Sequence, residues 1–117
     1  MPVVSKKPGD SFLITGRVNN VGNVAIDLGL APVLVGPKTY GLSVKWYGVI
    51  PAGGFSLIYQ SDKIPSDAPA GTYHLYMAAI DRADGKEFQR VDTFWDIKVE
   101  VAPPAVKKIE LLSVSVS

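Results

Sequence analysis

The sequence predicts an all-β domain built as two antiparallel sheets packed face to face. Three observations carry that expectation. Apolar residues recur with a period of two over residues 10–20, 40–49 and 90–101, the repeat of a half-buried strand. Glycine (11) and proline (9) punctuate the chain at short intervals, which suits turns between strands. No segment sustains a 3.6-residue pattern behind a helix cap.

The elements follow in order. Residues 1–8 read as an extended N-terminal arm, with Pro2 and Pro8 near its ends. Residues 10–20 read as a strand, with Phe12, Ile14 and Val18 on one face and Leu13, Thr15, Arg17 and Asn19 on the other. Asn20-Val21-Gly22-Asn23 is a turn, because Asn and Gly tolerate positive φ. Residues 24–30 are its expected hairpin partner. Ala31-Pro32 interrupts that strand, and residues 33–35 continue it at a sheet edge, since proline donates nothing to a ladder. Residues 40–49 place Leu42, Val44 and Trp46 inward and Ser43, Lys45 and Tyr47 outward. Pro51-Ala52-Gly53-Gly54 turns the chain into residues 55–61, with Phe55, Leu57 and Tyr59 on one face.

Residues 64–71 hold Pro65, Pro69 and Gly71, a corner that cannot be helical. The strand after it puts Tyr73, Leu75, Met77 and Ala79 on one face, near the centre of a sheet. A Gly-x-Tyr at the entrance to a late strand is what a β-sandwich corner looks like. There the ring packs in the core and the hydroxyl ties down the preceding loop. Residues 81–86 carry the Asp-Gly hairpin signal. In the last sandwich strand Val91, Thr93, Trp95, Ile97, Val99 and Val101 alternate with Asp92, Phe94, Asp96, Lys98 and Glu100. Trp46 and Trp95 are expected to fill much of the core, so that Trp95→Ala costs roughly 3–5 kcal/mol. The expected fold is thus an immunoglobulin-like antiparallel β-sandwich of about seven strands. It spans residues 9–102, with 1–8 and 103–117 as extended N- and C-terminal arms.

Composition limits the function classes. A chain of 117 residues fits one domain and buries about two thirds of its unfolded surface, so it needs no metal or disulfide to fold. Hydrophobic residues make up 47%, too many for a disordered tail. Lys plus Arg number 12 against 11 Asp plus Glu; the net charge of +1 gives no global case for nucleic acid or an anionic membrane. The lack of cysteine excludes a disulfide framework, a thiolate metal site and a cysteine nucleophile. No apolar run approaches the ~20 residues of a bilayer span, and the first ten residues have no apolar core of a signal peptide.

The turn signals also fall in a known order. Gly9-Asp10 opens an alternating strand that ends in Val18-Asn19-Asn20-Val21-Gly22-Asn23. Ile50-Pro51-Ala52-Gly53-Gly54-Phe55 precedes another strand, and Ala70-Gly71-Thr72-Tyr73 opens a long one. Over residues 9–101 this resembles the bacterial and archaeal immunoglobulin-like modules known as CARDB. The resemblance implies a non-catalytic module of surface, adhesive or scaffolding proteins. Small stand-alone proteins of this architecture also look like virion decoration proteins, a comparison of architecture alone.

Candidate chemistry is sparse. His74 is the only histidine, mid-strand beside Tyr76, and reads as structural. Asp81, Asp84 and Glu87 depart from calcium-loop spacing. Gly53-Gly54 precedes neither lysine nor helix, so it is no phosphate loop. Arg17, Lys45, Lys63, Arg82, Lys86, Arg90 and Lys98 are scattered among acids, as on a solvated surface. No enzyme, cofactor or metal is expected. Tyr40, Tyr47, Tyr76 and Phe94 stand on predicted outward faces, where they could stack on a glycan or pack on a neighbouring subunit.

The tail is the clearest interaction signal. Ile109, Leu111, Leu112, Val114 and Val116 are too apolar to trail in water. Either the tail returns to its own sheet or it docks on another chain, by strand addition or in a groove; Pro103-Pro104 directs it away, so the neighbouring chain is the expected partner. The sequence therefore predicts a non-catalytic structural subunit of a larger assembly, such as the surface of a virus or phage particle. The alternative is an adhesive or carbohydrate-binding module of a secreted or cell-surface protein. Both place it in a virion or an assembled extracellular structure, with other protein subunits as partners.

Overall fold

The computed structural model describes residues 2–101 and 107–117; the proline linker expected at 102–105 lies outside them. Eight strands form two sheets. They are β1 (Val3–Lys6), β2 (Ser11–Asn19), β3 (Ile26–Val35), β4 (Tyr40–Gly41), β5 (Lys45–Ile50), β6 (Phe55–Lys63), β7 (Gly71–Asp81) and β8 (Lys86–Val99). The larger sheet runs β1-β8-β7-β3-β4, with β5 also on β3, and the smaller sheet is β2-β6. No helix occurs among the described residues.

β7 sits at the centre, between β3 and β8, as its alternation predicts. Tyr73, Leu75, Met77 and Ala79 are all buried and face the small sheet. Tyr73 is 0% exposed, and its hydroxyl donates to the Pro69 carbonyl at 2.8 Å. The ring fills the core and the hydroxyl holds the corner, as expected. Around Tyr73 pack Phe12 of β2, Leu34, Ile64, Ile97 and Val99. A second cluster joins Leu28, Leu30, Ile50 and Met77 to Ile14, Val18 and Ile58 of the small sheet.

Four expectations are corrected. First, residues 24–30 are not the hairpin partner of β2. The chain crosses to the other sheet after Asn20, and β2 pairs with β6 instead. Turn chemistry marks a reversal but does not choose the sheet. Asn20 holds this crossing: its amide donates to the Val24 and Ile50 carbonyls at 2.9 Å each.

Second, Pro32 lies inside a central strand, not at an edge. Its carbonyl accepts from the Leu42 N–H at 2.8 Å, so its ring nitrogen points the same way. There, residues 42–44 belong to neither β4 nor β5. The missing donor falls in a break in the ladder, where it costs no hydrogen bond.

Third, Trp46 and Trp95 are not core residues; they are 40% and 46% exposed. The alternation is reset between β4 and β5, and a bulge lies at Gly48, whose φ is +86°. Tyr47 therefore turns inward and Trp46 outward. The Trp46 ring lies on Gly29, where an added Cβ would fall 2.5 Å from a ring carbon. Trp95 does share the core-facing side with Leu75 and Ile97, but the two-stranded sheet does not reach over it. Val44, expected inward, is likewise exposed.

Fourth, residues 3–6 are not a free arm. They form β1, parallel to Asp96–Val99 of β8. At the other end, residues 107–117 form no strand, because a lone strand has no ladder to satisfy its backbone.

Candidate interaction site

The small sheet has only two strands, so the sandwich is unevenly covered. β2 has no neighbour on the side away from β6, and β1 covers only the last part of β8. Between these two edges runs an open apolar cleft of about 550 Å³. Phe12, Ile14, Leu75, Met77, Val91 and Trp95 contribute to its walls. Gly16 faces into it from the middle of β2, and a Cβ placed there meets nothing within 4 Å. Periodicity does not reveal the cleft; the one signal for it is the glycine in the middle of an alternating strand.

The outer face of the small sheet is also apolar. Leu13, Phe55, Leu57 and Tyr59 are exposed there, and the Arg17 guanidinium lies 3.8 Å from the centre of the Phe55 ring. The regular alternation of β6 shows that these residues share a face, but their side is the solvent side.

The predicted interaction residues separate into two groups. Tyr40 and Tyr47 are not free aromatic platforms. Tyr40 packs against Tyr73, and its hydroxyl donates to Asp67 at 3.3 Å. The Tyr47 hydroxyl donates to buried Gln60 at 2.9 Å, and burial pushes its pKa up. Phe94 is exposed beside the bulge in β8, whereas Tyr76, on the same outer face, is half-buried against Ala31, Val33 and Ala78 and edge-on to His74. Ile109, Leu111, Leu112, Val114 and Val116 are all exposed on the tail.

That bulge organises the main polar cluster. Leu75 pairs with Trp95 and Tyr76 with Asp92, so Thr93 and Phe94 are extra residues in β8. Phe94 adopts φ +60°, rare for an aromatic residue. Its N–H donates to Asp92 at 2.7 Å, and the Thr93 hydroxyl donates to the Leu75 carbonyl at 2.6 Å. His74 lies between two carboxylates, with Nε2 at 2.5 Å from Asp92 and Nδ1 at 2.6 Å from Asp96. With both carboxyls ionised they accept only, so this geometry favours the imidazolium, with both ring nitrogens donating. Asp92 first, then Asp96, raises the His74 pKa. The Phe94 N–H first, then His74, lowers that of Asp92.

The residues weighed for calcium are occupied locally. Asp81 accepts from the Ala83 N–H, Asp84 from the Lys86 N–H, and Glu87 pairs with Arg90 at 2.9 Å. These are turn and surface contacts.

Fold and site together define an all-β sandwich with one open side and an unpaired apolar tail. Compared with protein-family models and with curated proteins, the chain matches none. Among the described residues no helix is long and apolar enough to cross a membrane.

Proposed function

We propose that this chain is a non-catalytic structural module of immunoglobulin-like type. It joins a larger protein assembly, such as the surface of a virus or phage particle, through its C-terminal arm. The exposure of Ile109, Leu111, Leu112, Val114 and Val116 on a segment that forms no strand of its own carries this reading. Apolar side chains of this size gain about 1.5–3 kcal/mol each on burial, so a partner surface is favoured.

The immunoglobulin-like type is supported by the run β8-β7-β3-β5, by the separate β2-β6 pair and by the Tyr73–Pro69 tie at the corner. The non-catalytic reading is supported by His74. Both of its nitrogens are held by carboxylates, which leaves no lone pair for a base or a metal ligand. The adhesive or glycan-binding alternative loses Tyr40 and Tyr47 as free platforms, because the Tyr40 ring packs against Tyr73 and the Tyr47 ring against the cluster that includes Leu28 and Ile50.

The test uses the full chain with Leu112→Asp and Val114→Asp. In its native source, the wild-type chain sediments with a particle and the double variant sediments free. A variant that still enters the particle refutes the docking role.

A further inference from the structure

We propose that the open seam between β2 and β8 receives residues 109–116 of a second copy of this chain as an added strand. This rests on the docking reading above and names the receptor.

Two backbone edges meet the seam. One is β2 on the side away from β6; the other is residues 86–95 of β8, beyond the reach of β1. Unpaired edges are templates for another strand. Core-facing side chains stop half-covered beside them. Val91 pairs with buried Met77 and Trp95 with buried Leu75, yet they are 43% and 46% exposed. A strand laid in the seam would cover both. Gly16 leaves room for it, since its inner side is open space. A mid-strand glycine weakens its own ladder and occurs where another backbone approaches.

The tail matches the seam in length and pattern. Eight extended residues span about 26 Å, against about 30 Å for the nine residues of β2. From residue 112 on, Leu112, Val114 and Val116 share one phase and Ser113, Ser115 and Ser117 the other; before it, Glu110 falls on the aliphatic phase and Ile109 and Leu111 on the serine phase. Leu112, Val114 and Val116 would face Trp95, while Ser113 and Ser115, with Ile109 and Leu111, would lie on the outer side. Ser113, at φ +54° in the free tail, extends on docking.

The occupant is a second copy because the same chain carries both halves of the joint, each exposed. The eleven residues 107–117 stand outside the sandwich while its seam stands open. A net charge of +1 opposes self-association little. A donor keeps its own seam free, so the contact is head-to-tail and extends into chains or rings.

Sedimentation velocity on the purified full-length chain tests this. The wild type should form oligomers larger than dimers as concentration rises. Gly16→Trp, which fills the seam, and Leu112→Asp/Val114→Asp, which spoils the tail, should each weaken self-association at least ~10-fold, about 1.4 kcal/mol. Mixed one to one, the first supplies a tail and the second a seam, so heterodimers and nothing larger should appear. The chain has no cysteine, so Gly16→Cys mixed with Val114→Cys should give a disulfide between the two chains even if Gly16→Trp folds poorly. Self-association of folded Gly16→Trp at wild-type strength overturns the proposal, as does failure of the cysteine pair to join. A wild type that stays monomeric overturns it too, and the docking reading survives if the tail variant is still lost from particles. If that variant enters particles, the docking reading itself has failed.

Discussion

Tyr73 and His74 are neighbours in β7 with opposite duties, and each makes its own prediction. Tyr73→Phe keeps the buried ring and removes one hydrogen bond, to the Pro69 carbonyl. It should cost about 0.5–1.5 kcal/mol in denaturant unfolding. Ile97→Ala, at 1% exposure, removes core volume and should cost about 2–5 kcal/mol. Trp95→Ala should cost less than either end of its original expectation, about 1–2 kcal/mol, because the ring is half in water. His74 gives a pH dependence. Its folded pKa is raised by Asp92 and then Asp96, so its contribution is complete below the ordinary histidine value of about 6.5. It fades as pH rises through the raised value. Asp92 is shifted down, so its contribution is present above the ordinary carboxylate value of about 4 and is lost as pH falls through the depressed one. Tm should be level from about pH 4 to 6.5 and fall above that range. In His74→Gln the fall above pH 6.5 should disappear; an unchanged profile would contradict the paired imidazolium.

At the scale of elements, legibility followed local regularity. β7 could be read residue by residue because no bulge interrupts it before Leu75 and both its neighbours are strands. The Asp81–Lys86 loop could be read from its Asp-Gly, and Gly85 adopts φ +70° there. β5 could not, because a bulge exchanges the faces of Trp46 and Tyr47. In β8 the alternation gave the right side for Trp95 but not what covers that side, which depends on the number of strands in the opposite sheet. The Tyr76–Phe94 neighbourhood depends on a two-residue bulge that polar residues stabilise locally, and a period-two pattern passes over it unbroken. Close strand approach supplies a further prediction. A Cβ on Gly36 would lie 2.6 Å from the Thr72 carbonyl oxygen, a backbone atom that cannot swing aside. Gly36→Ala should cost about 1–3 kcal/mol. The same substitution at Gly16, where the space is open, should be neutral or slightly stabilising. Thermal melts of the two variants side by side check the contrast.

For the whole molecule, the remaining question is whether the apolar tail belongs to its own sandwich. Stability should come from the two clusters around Tyr73 and around Leu28, Leu30 and Met77, which include no residue of 107–117. Among the described tail residues 107–117 every large apolar side chain is exposed, so its removal from water has not occurred within one chain. Burial is what converts such side chains into stability. It follows that Leu111→Asp/Leu112→Asp should leave the monomer's Tm within about 3 °C of wild type, since surface changes usually fall within ±0.5 kcal/mol. The measurement is a thermal melt at a concentration where sedimentation shows both proteins to be monomeric. At higher concentration the wild type alone should gain stability, because association that requires the native state raises Tm by mass action. A variant that melts several degrees lower at the monomer concentration would place the tail against its own domain, and would remove both the docking role and the exchange between copies.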